Sequence, residues 1–288
     1  MFLNLAINFK PFGNDTQNEV QFEAFTFAGG EPHIKIKSNI APEKVTITHR
    51  ITSFNDLGLV CMAVDALQRM SIKHIELFIP YFPAARQDRL MTTGEPLSVK
   101  VYANIINAMK LQKVQVFDPH SEVTPALLNH CETISNHRFI EKVIHEIGNE
   151  TLLISPDGGA LKKIYKVAEF LGGKEVVECS KSRDVKTGKL SGFKVYTDDL
   201  AGKNCLIVDD ICDGGSTFIG LAEELKKKNA GKLYLAISHG IFSKSFDELS
   251  KHFDGIFTTD SFKEIDNEVV RQIKLKDIVV SPFQGKEL

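Results

Sequence analysis

The strongest chemical signal in the sequence is the run Leu206-Ile207-Val208-Asp209-Asp210-Ile211-Cys212-Asp213-Gly214-Gly215-Ser216-Thr217. An apolar strand breaks into paired acids, then into two glycines and two hydroxyls, and a helical pattern follows. Glycines let backbone N–H groups approach phosphate oxygens, the helix presents its positive end, and Ser216 and Thr217 add hydroxyl donors. Asp209 and Asp210 stand at the strand end, where carboxylates accept hydrogen bonds from the two hydroxyls of a ribose. That is the pattern of a sugar-phosphate pocket. A strand with a polar turn and a Ser/Thr cap is the blander alternative, and this density of acids, glycines and hydroxyls outweighs it.

The elements that must position these residues alternate along the chain. A helical apolar pattern from Leu57 to Met70 leads into Ile75-Glu76-Leu77-Phe78-Ile79-Pro80, a buried strand closed by proline. Helices follow near 97–109, 139–147, 160–171 and 217–228, separated by strands near 114–117, 152–155, 175–179, 205–208, 233–238 and 255–258. Such spacing predicts parallel βαβ units, with binding sites at the carboxyl ends of the strands. Residues 2–51 differ: Phe22-Glu23-Ala24-Phe25-Thr26-Phe27 and His33-Ile34-Lys35-Ile36-Lys37 read as strands flanking the turn Ala28-Gly29-Gly30-Glu31-Pro32. Val114–His120 and Cys205–Ile211 echo each other as apolar strands ending in acids, so two similar halves joined near residue 139 are expected.

With 288 residues, 43% hydrophobic and 25% charged, the chain has the composition of a globular protein of one large domain or two average ones. Its net charge of −2 supplies no overall basic field for nucleic acid or an anionic membrane, so anions must be captured locally. The five cysteines, at 61, 131, 179, 205 and 212, form no Cys-x-x-Cys pair and fit a reducing cytoplasm. Met1–Lys10 has no basic region before its apolar residues, and no segment approaches the length of a membrane span, so neither secretion nor membrane insertion is expected.

The 206–217 run resembles the phosphoribosyl diphosphate loop of type I phosphoribosyltransferases and of ribose-phosphate diphosphokinases. Further segments favour the second family. Ile79–Arg89 is similar to its ATP-site segment and Phe27-Ala28-Gly29-Gly30-Glu31 to its adenine loop. Asp118-Pro119-His120 resembles its Asp-x-His metal segment, Ser155–Ala160 its second metal-bearing turn, and Lys181-Ser182-Arg183 its catalytic Lys-x-Arg loop. These matches keep the family's order from about Phe27 to Ser261.

The resemblance implies an α/β protein of two tandem type I phosphoribosyltransferase-like domains, 1–138 and 139–288, with parallel sheets flanked by helices and an active site between the halves. ATP and a ribose phosphate would be the substrates, and the β,γ-diphosphoryl group would pass to the C1 hydroxyl of ribose 5-phosphate, releasing AMP. ATP binding would fall to Phe27, Glu31, Arg86, Gln87, Asp88 and His120, with Phe27 and the planar Arg86 guanidinium as platforms for adenine. Ribose-phosphate binding would fall to Asp209, Asp210, Asp213, Gly214, Gly215, Ser216 and Thr217. Mg²⁺ would be held by His120 and Asp157 together with the triphosphate. Lys181 and Arg183 would be the catalytic cations, in a polar stretch, Lys181–Gly192, with the composition of a lid.

The family also implies a homo-oligomer, a dimer at least and up to a hexamer. Gly29 stands where it usually has Asp, Gly158 where it commonly has a side chain, often His, and the loop reads Asp-Gly-Gly-Ser-Thr rather than Asp-Thr-Ala-Gly-Thr. Three alternatives follow from those departures and from the shared loop: transfer to a larger acceptor such as ADP-ribose, a catalytically silent regulatory subunit, or a phosphoribosyltransferase, which would leave Arg86–Arg89 unexplained.

Overall fold

The computed structural model describes residues 1–13, 16–37, 42–183, 190–244 and 246–279, the side chains of 16, 182, 183, 190 and 191 excepted. The chain divides into two units: Met1–Ser135 together with the segment from Leu275, and Asn136–Lys274.

The first unit runs β1 (Phe2–Asn4), β2 (Phe22–Thr26), β3 (Pro32–Ile36), β4 (Lys44–Thr48), α1 (Phe54–Arg69), β5 (His74–Ile79), α2 (Ser98–Ala108), β6 (Lys113–Phe117), α3 (Val123–Leu127) and β7 (Cys131–Ile134). Its main sheet has the order β1-β4-β5-β6-β7 and is parallel throughout. Helices cover such a sheet, so its strands are apolar runs rather than alternating ones: Leu77, Phe78 and Ile79 of β5 are fully buried. The exception, Glu76, is 4% exposed and accepts from Thr46 Oγ1 at 3.2 Å while pairing with Lys44. α1 buries Leu57, Val60, Val64 and Leu67, one stripe at helical spacing, and each such side chain contributes about 1.5–3 kcal/mol. β2 and β3 form a separate two-stranded hairpin about the expected turn.

The second unit runs α4 (His137–Ile147), β8 (Leu152–Ser155), α5 (Leu161–Phe170), β9 (Val176–Arg183), β10 (Leu190–Val195), β11 (Cys205–Cys212), α6 (Ser216–Lys227), β12 (Leu233–Gly240), α7 (Phe246–Ser250), β13 (Gly255–Thr259) and β14 (Val270–Ile273). Its sheet order is β10-β9-β8-β11-β12-β13-β14, with only β10 antiparallel to its neighbour. Lys181 and Arg183 therefore belong to a strand, where a loop was expected, because β9 continues past Cys179 to pair with β10. The middle of the expected lid, 184–189, and the Arg183 side chain lie outside the described residues.

Along their orders, β1-β4-β5-β6-β7 and β8-β11-β12-β13-β14 match strand for strand. β4 thus corresponds to β11 and β6 to β13, which corrects the expected echo: Val114–His120 and Cys205–Ile211 occupy different places in their sheets. The true counterparts differ chemically. β4 runs into His49 and Arg50, whereas β11 contains Asp209 and Asp210. The helix after β4, α1, is closed at its start by its own side chains: Ser53 Oγ accepts from Asp56 N at 3.2 Å, and Asp56 Oδ2 accepts from Thr52 N at 2.9 Å. The helix after β11, α6, starts at Gly215 with no side-chain cap. Of these two corresponding connections, only that of the second unit has paired acids followed by a helix start without a side-chain cap.

Candidate active site

β8, β9 and β11 are neighbours in the second sheet and carry the expected acids and cation to one edge. Asp157 follows β8 in the turn into α5. Its Oδ1 accepts from Gly159 N at 2.9 Å and Ala160 N at 3.1 Å, an Asx turn that fixes the carboxylate. Oδ2 is paired with Lys181 Nζ, brought over from the adjacent β9. On the other side of β8, Asp210 is 7% exposed and Asp209 Oδ1 accepts the Asp210 N–H at 2.9 Å. Burial, and next the neighbouring Asp210 charge, push the Asp209 carboxyl well above the ordinary carboxylate range, with Asp157 adding to the effect. Three acids thus share one strand-end cluster. Lys163, on the first turn of α5, brings Nζ to 3.9 Å from Asp210 Oδ2. The sequence reading missed it; its signal was a position six residues after Asp157, on the helix that the Asx turn starts.

The loop 213–217 leads from β11 into α6. Gly215 has φ +78°, and a Cβ there would meet Leu249 Cδ2 at 3.0 Å, so both the turn and the packing demand glycine. Gly214 has no such constraint, since its Cβ would make only ordinary contacts, from 3.5 Å. Gly215→Ala is expected to cost about 1–3 kcal/mol, read as a lower urea midpoint, and Gly214→Ala distinctly less. Equal losses would contradict this account. Ser216 and Thr217 open α6, and the Asp213 carbonyl accepts from Ser243 N at 3.1 Å.

In the first unit the expected ATP residues occupy two places. Arg86, Gln87 and Asp88 follow β5, and His120 follows the neighbouring β6. Both connections carry a non-glycine residue in the left-handed region, Ala84 at φ +56° and Asp118 at φ +38°, a strain that collects at functional turns. Gln87 N donates to Ala84 O at 2.9 Å, closing the turn that carries Arg86, and Phe82 and Ala85 are buried. Phe27 and Glu31 lie instead on the β2–β3 hairpin. Phe27 N donates to Glu31 O at 2.9 Å, closing the turn, and the Phe27 ring is 52% exposed. It touches Phe25 edge-on at 4.9 Å and His33 at 5.4 Å. At Gly29, an added Cβ would fall 2.6 Å from Glu31 Oε2, so the Glu31 carboxylate lies over this glycine. His120 belongs to the first unit and Asp157 to the second.

A magnesium ion fits the donor chemistry of the second unit. Desolvated, mutually repelling hard oxygens favour a divalent cation. Among the described residues no three His, Cys, Asp or Glu side chains are grouped closely enough to hold a metal unaided, so such an ion would draw further ligands from phosphate and water. Burial pushes the Cys179 thiol up to about 12 and the Cys205 thiol to about 11, far from a reactive thiolate.

Two parallel-sheet units, one bearing acids before an uncapped helix, define an α/β protein of phosphoribosyltransferase type. Residues 125–271 match the family described as a phosphoribosyl transferase domain, and 16–109 match the N-terminal domain of ribose phosphate pyrophosphokinase. The chain is 30% identical over 267 residues to the ribose-phosphate pyrophosphokinase of Mycoplasmopsis pulmonis, covering 90% of this chain and 82% of that one. It is 29% identical over 271 residues to that of Thermococcus kodakarensis, covering 91% and 94%. The phosphoribosylpyrophosphate synthetase structure from Mycobacterium smegmatis shares the fold, with a TM-score of 0.80 at 20% identity over 96% of this chain and 95% of that one. This chain belongs to the ribose-phosphate pyrophosphokinase family.

Proposed function

We propose that the protein transfers the β,γ-diphosphoryl group of ATP to ribose 5-phosphate. The C1 hydroxyl oxygen attacks the β-phosphorus, the bond from that phosphorus to the α-phosphate bridging oxygen breaks, AMP leaves, and the hydroxyl proton is lost. The observation that carries this reading is the Asp209–Asp210 pair followed by the uncapped start of α6, a set that the corresponding β4–α1 connection lacks. Asp209 and Asp210 accept from the ribose hydroxyls, and the 213–217 loop holds the 5-phosphate. Lys181 leaves Asp157 to meet the charge that develops on the transferred group, and Arg183 follows it on the same strand. Mg²⁺ would supply charge neutralisation of the phosphates; His120 in the first unit and Asp157 in the second are each a residue that would hold it. Phe27 and Arg86 flank adenine, with Glu31, Gln87 and Asp88 on the nucleotide's polar edges.

The exposed Phe25–Phe27 pair, 47% and 52% accessible, supports a homo-oligomer of at least two chains in which the hairpin completes a nucleotide site. Five free cysteines fit a reducing, cytoplasmic setting, and no helix among the described residues is long and apolar enough to cross a membrane. Phe27→Ala is expected to raise KM for ATP about tenfold, as loss of one stacking face does, with KM for the sugar little changed. Unchanged ATP titrations would remove Phe27 from the site.

The reading is tested by incubating the protein with ATP and Mg²⁺, with ribose 5-phosphate and ADP-ribose in separate tubes, and following AMP release and product mass. AMP together with a diphosphorylated ribose 5-phosphate is the expected result. Turnover with ADP-ribose alone would change the acceptor and keep the mechanism, and AMP from neither would indicate a silent subunit.

A further inference from the structure

The 213–217 loop carries no basic residue, and it opens with Asp213 beside Asp209 and Asp210. A phosphate dianion seated there on N–H groups and hydroxyls alone would face three nearby acids with no countercharge from its own segment. Among the described residues, Lys181 is paired with Asp157, Lys163 stands 3.9 Å from Asp210, and Lys263 Nζ donates to Ile241 O at 2.6 Å, so each already has a partner.

One cation is placed differently. After β12 the chain turns back along the end of β11: Ile241 N and Phe242 N donate to Cys212 O at 3.0 and 3.1 Å, and Ser243 N donates to Asp213 O at 3.1 Å. Phe242 makes this turn in the left-handed region, at φ +44°, and is held there by burial. Its ring packs on Phe246 at 5.0 Å and lies so close to Gly240 that a Cβ there would fall 2.2 Å from Phe242 Cε2. The next side chain but one, Lys244, is thereby laid along the loop. Its Cε comes within 3.5 Å, and its Nζ within 3.9 Å, of where a Cβ on Gly214 would stand. It is exposed, and among the described residues it has no carboxylate partner.

We propose that Lys244 is a substrate-binding residue that brings the missing positive charge to the phosphoryl anion held by the 213–217 loop. The lysine stem runs past Gly214 in ordinary contact range, which puts the flexible ammonium beside the loop that would hold the anion. The inference rests on the assignment of this loop to the sugar phosphate. It concerns affinity and selectivity for a phosphorylated sugar and is independent of the ATP segments.

The test compares the parent with Lys244→Ala and Lys244→Arg, measuring KM for ribose 5-phosphate, KM for ATP and the direct binding of ribose 5-phosphate by equilibrium dialysis at two salt concentrations. For Lys244→Ala, KM and Kd for ribose 5-phosphate should rise about tenfold and depend less on salt, with KM for ATP moving less than about twofold. Lys244→Arg should recover most of the loss. A ribose 5-phosphate Kd in Lys244→Ala within about twofold of the parent, or an equal rise in KM for ATP, would overturn the proposal. If the parent binds ribose 5-phosphate but releases no AMP, the proposed reaction fails, and the dialysis comparison still decides the role of Lys244.

Discussion

Lys181→Ala should lower kcat by about 10²–10³-fold while KM for ATP changes only a few-fold, the signature of a cation whose contact forms in the transition state. The ground-state geometry explains the split. Lys181 is engaged with Asp157 Oδ2, and that carboxylate is fixed in turn by the Gly159 and Ala160 amides at 2.9 and 3.1 Å. A lysine held this way contributes little to nucleotide affinity, because pairing with phosphate costs it the Asp157 contact. As charge accumulates on the transferred group the balance tips and the contact strengthens. The ion pair is partly exposed, with side chains 25% and 20% accessible, so its loss should leave stability almost unchanged. Steady-state kinetics of Lys181→Ala and Lys181→Arg, with thermal melts of both, check this. A change confined to KM would place Lys181 in ground-state binding, and a large fall in Tm would make it structural.

Much of this arrangement was legible in the sequence, and the parts that were not share a cause. Helix stripes such as Leu57, Val60, Val64 and Leu67, and apolar strands such as Leu152–Ser155, declare themselves locally through periodicity and burial. The 206–217 run was equally plain, since acids, glycines and hydroxyls are consecutive. What sequence does not carry is sheet order. The β4–β11 equivalence depends on which strands are neighbours, and two strands with similar text, β6 and β11, proved to sit at different places. Lys181 was read as a lid residue because Lys, Gly and Ser dominate 181–192, yet β9 extends through it by pairing with β10, with Phe193 opposite Lys181. The Lys181–Asp157 pair follows from β9 lying next to β8, and Lys244 reaches Gly214 only because Phe242 turns the chain back onto Cys212. Both depend on residues far apart in the chain.

Asp209→Asn is expected to make the protein more stable at neutral pH and to weaken its binding of the sugar. In the folded protein burial and the Asp210 charge raise the Asp209 pKa above the unfolded value of about 3.9. A raised carboxyl favours the folded state fully below the unfolded pKa, and that contribution is lost as pH climbs through the folded pKa. The parent should therefore lose stability relative to the variant from about pH 4 upward, with the difference levelling off once Asp209 is ionised. Asparagine keeps the acceptor for the Asp210 N–H, now bonded at 2.9 Å, and removes the charge, so relief of about 0.5–2 kcal/mol at pH 7 to 8 is expected. The same charge is what a ribose hydroxyl and a divalent cation would recognise. Replacing a charged acceptor by a neutral one costs about 1.5–3 kcal/mol, so the sugar Kd should weaken about 10- to 150-fold. Mg²⁺ with ribose 5-phosphate should raise the parent's Tm more than the variant's. Melting curves from pH 4 to 8, with and without these additions, separate the outcomes: parallel pH profiles would mean that Asp209 is ordinary in the folded protein, and equal ligand shifts would remove it from the site. A stability gain joined to a binding loss would identify the Asp209–Asp210 pair as strain retained for recognition; the end of β4 runs instead into His49 and Arg50, and there Asp56 accepts from Thr52 N at 2.9 Å.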